Sequence, residues 1–224
     1  MFIRLQKTTG LFRWFLFTVC LFFASNAYAE PVTYLSAADL RHAWAHIKYQ
    51  LPAGQREEAY ARLNAIARRM RMAHPDDVSL WTWEAIILAN EAGEKHSLAS
   101  VQMIKRTKHL IEKSLSLAPD AENSLAYAFL GNLYHKMPGW PIGFGNDARA
   151  EYYLRKALAI RPDGLDENYF MGSYLRDKKR FSGAISHLRK AIDAPPRPGM
   201  EVADTGRKAD ARILLNHTMK SRRR

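Results

Sequence analysis

Two prolines 34 residues apart, Pro162 and Pro196, close two copies of one pattern. Upstream of Pro196 stand Gly172, Ala184, Leu188 and Ala191; upstream of Pro162 stand Gly131, Ala150, Leu154 and Ala157. From alanine to proline both copies step by four, three and five residues. Steps of three and four keep side chains on one helix face, and proline ends the helix. The glycine belongs to a preceding helix, where the missing Cβ lets the second helix approach closely. A helical pair of this size cannot bury its apolar face alone, so neighbouring pairs must stack. One copy differs: 19 residues separate Gly131 from Ala150, against 12 between Gly172 and Ala184. The seven extra residues fall in Pro138–Gly145.

The rest of the chain has the same grain. Period-2 runs of β-branched residues are absent, and apolar residues recur at three and four. Ser36 with Asp39 reads as a helix cap. Behind it, Leu40, Trp44, Ile47 and Leu51 form a stripe that Pro52-Ala53-Gly54 ends. A second helix is expected from about Gln55 to Ala73, stopped by His74-Pro75. Further helices fit about 77–92, 98–117, 122–136, 147–160, 165–178, 181–194 and 204–219, with Gly93, Pro119, Pro162-Asp163-Gly164 and Pro195-Pro196 among the breakers. The upstream units are degenerate. Ala59, Leu63 and Ile66 serve the first, and Ile111 and Ser114 the second, where Thr107 replaces the usual alanine. In the last helix Ala211, Leu214, Leu215 and Met219 line one face, and Arg207, Lys208, Asp210 and Arg212 read as polar cover.

This 34-residue pattern resembles the tetratricopeptide (TPR) repeat. Trp83-Glu84-Ala85-Ile86-Ile87, Pro138-Gly139-Trp140-Pro141-Ile142-Gly143-Phe144-Gly145, Asn168-Tyr169-Phe170 and Ala194-Pro195-Pro196-Arg197-Pro198-Gly199 also resemble a family of exported bacterial TPR proteins. A weaker likeness is to the periplasmic TPR component of TRAP-type solute transporters. The resemblance implies an all-α, right-handed solenoid of about four helical pairs plus a C-terminal closing helix. It implies a periplasmic location and no settled activity.

An export signal is expected over residues 1–29. Arg4, Lys7 and Arg13 precede an apolar run from Trp14 to Ala24, and Ala27-Tyr28-Ala29 offers small residues at spaced positions, so cleavage is expected before Glu30. The run is shorter than the ~20 residues of a spanning helix. Cys20, the single cysteine, would leave with it, which excludes disulfides and multi-cysteine metal sites. The body is then residues 30–224, ending in a basic tail over about 220–224. The formal charge of +12 falls by the three leader cations to +9. Nucleic acid is an unexpected partner for an exported chain. Anionic headgroups or an acidic protein face suit it better, with weak membrane contact through the tail.

Motifs for chemistry are sparse. There is no Gly-Lys-Ser phosphate loop and no nucleophile elbow. His42 and His46 are spaced for a metal but lack the glutamate of a zinc-protease helix and read as a solvated pair. No cofactor, metal or catalytic residue is assigned. Glu84, among Trp81, Trp83, Ile86 and Ile87, is expected to be half-buried, either in a salt bridge or as a polar contact in an apolar groove. An enzyme would need a second buried carboxylate or a Ser–His pair beside it.

In the TPR frame the first helix of each unit lines the concave face. With Gly131 and Gly172 at the eighth repeat position, Asn132 and Ser173 take the ninth, and Lys136 and Asp177 the thirteenth. Asn132 with Lys136 is part of the family's carboxylate clamp, but Ala128 and Phe170 stand where its other lysine and asparagine would be. Trp83, Glu84, Asn132, Lys136, Trp140, Phe144 and Tyr169 are the candidate ligand residues. Trp140, Ile142 and Phe144 are expected to fold back onto the array, as a plug or as a groove anchor, because such side chains cost ~1.5–3 kcal/mol each in water. The expected function is non-enzymatic: a periplasmic scaffold holding a protein, a peptide or a small apolar solute. The alternative is a solute-binding accessory of a transporter. An open groove would favour the first, and an enclosed cavity around Trp83 and Glu84 the second.

Overall fold

The computed structural model describes residues 36–95, 97–118 and 123–223. Residues 1–29, where the export signal is expected, lie outside them with Cys20, as do Pro119 and Arg224. Leu35–Arg224 is one compact unit. Its described residues form nine helices and no strand: α1 Ala37–Tyr49, α2 Ala53–Ala73, α3 Val78–Lys95, α4 Leu98–Leu117, α5 Ser124–Lys136, α6 Asp147–Ile160, α7 Leu165–Asp177, α8 Phe181–Asp193 and α9 Glu201–Arg222.

The ends are set by local chemistry. The Ser36 hydroxyl accepts from the Asp39 amide while the Asp39 carboxylate accepts from the Ser36 amide, a reciprocal cap on α1. Asn123 and Asn146 cap α5 and α6 through their side-chain oxygens. Gly93 does not break α3, which continues to Lys95. Glycine weakens a helix by only about 1 kcal/mol, and Leu88, Glu91 and Ala92 are buried around it. α9 begins at Glu201 rather than 204, so it is longer than its periodicity indicates.

The helices pack as consecutive antiparallel neighbours in a TPR-like array. α3 lies on α4, α5 on α6 and α7 on α8, with α2 against α3 and α9 against α8. Gly131 and Gly172 are where two pairs close. A Cβ on Gly131 would lie 2.7 Å from the Leu154 Cγ, and one on Gly172 2.7 Å from the Leu188 Cγ. Ala150, Leu154 and Ala157 are fully buried, as are Ala184, Leu188 and Ala191. In α2 Leu63 is buried as expected, while Tyr60 and Ala67 are buried in place of their neighbours Ala59 and Ile66, which are only partly covered. Thr107 is tolerated at an alanine position because its hydroxyl donates to the Met103 carbonyl.

The ends of the array meet. α1 packs on α2, on α3 and on α9, and α9 also packs on α7. Gly206 permits this: a Cβ there would overlap the Tyr49 ring. The Tyr49 hydroxyl donates to Asp210 at 3.3 Å. Arg207 corrects the sequence expectation of polar cover, being only 6% exposed. It points inward because Asp166 waits there: Arg207 Nε lies 2.8 Å from Asp166 Oδ1. His42 and His46 are exposed, as expected, and His42 also bonds the Gly199 carbonyl.

The Pro138–Gly145 loop divides its rings. Phe144 packs edge-on against Tyr134, with centroids 5.4 Å apart. Trp140 and Ile142 do not fold back, being 90% and 66% exposed. The loop's base is stitched tightly: Gly145 N–H donates to the Pro138 carbonyl at 2.8 Å, and Asn146 N–H to that of Tyr134 at 3.0 Å. A side chain at Gly145 would strike the Met137 backbone. So short a base leaves the apex pointing away from the array.

Candidate functional site

A cavity of about 250 Å³ opens on the concave side, between the first helices of the units and the α1–α9 closure. Trp44 of α1 and Trp83 of α3 form one wall, with ring centroids 5.6 Å apart at 60°. Phe129 of α5 and Phe170 of α7 form another, at 6.2 Å and 72°. The same i, i+3/i+4 logic that buries one face of α3, α5 and α7 delivers these rings to a common centre.

Polar groups interrupt this apolar lining. Asn90 reaches it from α3, Asn132 and Lys136 from α5, and Lys48 from α1. The Asn90 amide donates to the Ile86 carbonyl at 2.7 Å. The Asn132 side chain makes no hydrogen bond among the described residues. The Trp44 indole N–H is buried without an acceptor. Among the described residues Lys48 has no carboxylate within ion-pair distance; its ammonium lies 5.3 Å from the centroids of both Trp44 and Tyr49. Burial, and then the nearby Arg207, push its pKa down to about 7, against partial support from Asp210 and Asp166.

Asp166, Arg197 and Arg207 form the floor. Arg197 Nη1 and Arg207 Nε take the two Asp166 oxygens at 2.9 and 2.8 Å, and Arg197 also grips Asp204 at 2.6 Å. Burial alone would raise the Asp166 pKa, but Arg207 and Arg197 hold it below the ordinary carboxylate value. The floor is charged and internally neutralised.

Of the seven candidate residues, the structure brings Trp83, Asn132 and Lys136 together at this cavity. Lys136 is shared with Asp177 at 2.7 Å, which His135 also reaches at 2.8 Å. Both Lys136 and Asp177 occupy the thirteenth repeat position, so successive units pair them. Although burial acts to raise it, the Asp177 pKa falls well below the carboxylate range because Lys136, Arg176 and His135 all donate to it. Glu84 does not line the cavity. It is fully buried, rather than half-buried, on the other side of α3, where Arg71 of α2 and Arg106 of α4 take its two oxygens. Its role there is the salt bridge that ties α2, α3 and α4. Tyr169 lies against Arg207, whose Cζ is 4.6 Å from its centroid, and Phe144 lies against Tyr134; neither lines the cavity. Trp140 stands free at the loop apex.

Sequence reasoning missed Trp44, Lys48, Asp166, Arg197 and Arg207 as site residues. Trp44 was legible only as part of a core stripe. Lys48, Asp166 and Arg207 belong to the meeting of α1, α7 and α9, and Arg197 to the connection between α8 and α9 that joins it; local periodicity does not encode such a meeting. Among the described residues no group of three or more His, Cys, Asp or Glu is placed to hold a metal. No helix there is long and apolar enough to cross a membrane.

No family model and no curated protein matches the chain. Among solved structures, MamA AMB-1 is similar at 20% identity, covering 83% of this chain and 97% of that one, with a TM-score of 0.45. A MamA RS-1 ArsTM double mutant is similar at 15% identity, over 84% and 97%, with a TM-score of 0.44.

Proposed function

We propose that the protein is a non-enzymatic binding scaffold that holds a partner protein by one apolar anchor carrying a hydrogen-bond acceptor or an acidic group. The observation that carries this reading is the set of unpartnered donors at an aromatic cavity: the Trp44 indole N–H, the Asn132 amide and the Lys48 ammonium. The Trp44 N–H, fully buried without an acceptor among the described residues, is unfavourable by about 1–3 kcal/mol; Asn132 and Lys48 are half-buried at the cavity, and an acceptor-bearing guest completes their hydrogen bonding. The cavity, about 250 Å³, falls just below the roughly 300–1,000 Å³ of small-molecule pockets. It suits one side chain or chain end better than a long extended peptide. Glu84 supplies no catalytic carboxylate, since two arginines occupy it.

A second reading, a small apolar acid held for a transporter, draws support from the α1–α9 closure, which turns a groove into a pocket. Native mass spectrometry of the protein isolated from its own cells separates the two. A protein-sized adduct lost in Asn132→Leu supports the scaffold. A small-molecule adduct lost in the same variant supports the solute reading, and adducts insensitive to it sink both.

Export to the periplasm is part of the proposal. It rests on the charged, apolar and small-residue order of residues 1–29.

A further inference from the structure

A second surface, separate from the cavity, begins at the apex of the Pro138–Gly145 loop. Trp140 and Ile142 project there, 90% and 66% exposed, on a segment without a charged residue from Met137 to Asn146. The loop is held by its own backbone bonds and by Phe144, so the two side chains are presented rather than loosely strung. From Phe144 an aromatic run continues along α6. Tyr134 stacks on Tyr153 at 5.6 Å, and Tyr153 meets Tyr152 at 5.2 Å, the latter 53% exposed. Two exposed cations lie on these rings. The Arg149 Cζ is 5.5 Å from the Tyr134 centroid, and the Lys156 ammonium 5.3 Å from that of Tyr152. Neither has a carboxylate within ion-pair distance among the described residues, whereas nearby Lys108 is paired with Glu112 at 2.7 Å.

Tryptophan and a branched aliphatic at a tip, backed by tyrosines and by cations that bond tyrosine hydroxyls rather than carboxylates, is the composition of a membrane–water interface belt. A projecting apolar apex held at its base by backbone bonds suits insertion into a soft surface. The formal charge of +9 for residues 30–224, which is +12 less the three cations of residues 1–29, adds attraction toward an anionic surface. We propose that this patch docks the protein on an anionic phospholipid bilayer, with Trp140 and Ile142 entering the headgroup layer and Arg149 and Lys156 facing lipid phosphates.

The test is sedimentation with vesicles. The unit from Leu35 onward holds the whole described core, so a chain beginning at Glu30 serves and carries no apolar leader. It should bind phosphatidylglycerol–phosphatidylcholine vesicles at low salt, and phosphatidylcholine vesicles about tenfold more weakly or worse. Trp140→Ala with Ile142→Ser should lower partition about tenfold at an unchanged melting temperature. Arg149→Gln with Lys156→Gln should do so at low salt, with the effect fading at high salt. Absence of wild-type binding to anionic vesicles overturns the proposal and leaves the apex as a protein contact. So does loop-variant binding equal to wild type, or loss of binding only on replacing Lys220, Arg222 and Arg223 with glutamine.

Discussion

Gly131 of α5 faces Leu154 of α6 with no room for a side chain: a Cβ on the glycine would lie 2.7 Å from the leucine Cγ and 3.0 Å from the Ala150 carbonyl oxygen. Gly172 and Leu188 repeat the geometry one unit later, although the first pair is 23 residues apart and the second 16. The seven-residue insertion is therefore absorbed wholly by the loop, and the helix–helix seam is conserved within the chain.

Overpacking that seam should be measurable. Gly131→Leu and Ala157→Leu should each destabilise the fold by about 1–3 kcal/mol, read as a lower urea midpoint. Gly93→Ala, in a helix with nothing within 4 Å of the new Cβ, should instead stabilise by about 0.4–1 kcal/mol. The opposite ranking would mean that the repeat register is wrong.

Arg207→Leu should be among the most damaging single changes in α9. It leaves Asp166 buried with half its partners, and breaking a buried pair costs about 3–5 kcal/mol. Gly206→Val should act on the same contact by displacing Tyr49. Both variants are expected to raise proteolysis of α1 before that of α5 or α6, as limited digestion with peptide mapping will show.

Lys48 gives stability a pH dependence of known sign. Its folded pKa, about 7, lies below the ordinary lysine value, so between the two the unfolded chain binds more protons. Its contribution to stability therefore rises with pH from about 7 toward the unfolded pKa, by at most about 1.4 kcal/mol per pH unit. Lys48→Met should flatten that rise in urea titrations across the alkaline range. A slope identical to wild type would show that the ammonium is not desolvated.

The loop's rings should separate in the same assay. Phe144→Ala removes a half-buried ring from Tyr134 and should destabilise by about 2 kcal/mol. Trp140→Ala should stay within about 0.5 kcal/mol of wild type, as exposed positions do.

For the leader, Edman sequencing of the exported protein should begin at Glu30. An intact Met1 chain confined to the cytoplasm would remove the export proposal and leave the cavity argument untouched.

What the amino-acid sequence determined by itself was the array. Nine helices, their proline punctuation, the Ser36 cap, and the small residues at the α5–α6 and α7–α8 seams follow from periodicities of three and four and from the chemistry of helix ends. All of these operate within one pair. Glu84 was expected to be half-buried, in a salt bridge or in a groove; that it is fully buried between Arg71 and Arg106 depends on α2 and α4 packing together. Tertiary structure alone decided the closure. Tyr49 against Gly206, and Arg207 against Asp166, join segments more than forty residues apart. No local pattern marks such a meeting: a mid-helix glycine and a polar arginine look like ordinary surface until another helix arrives. The cavity, its Lys48 and its unpartnered Trp44 are consequences of that meeting. The exposure of Trp140 has the same origin, since hydrophobicity favours burial of the ring while the tight backbone closure of its loop denies it a surface to bury against.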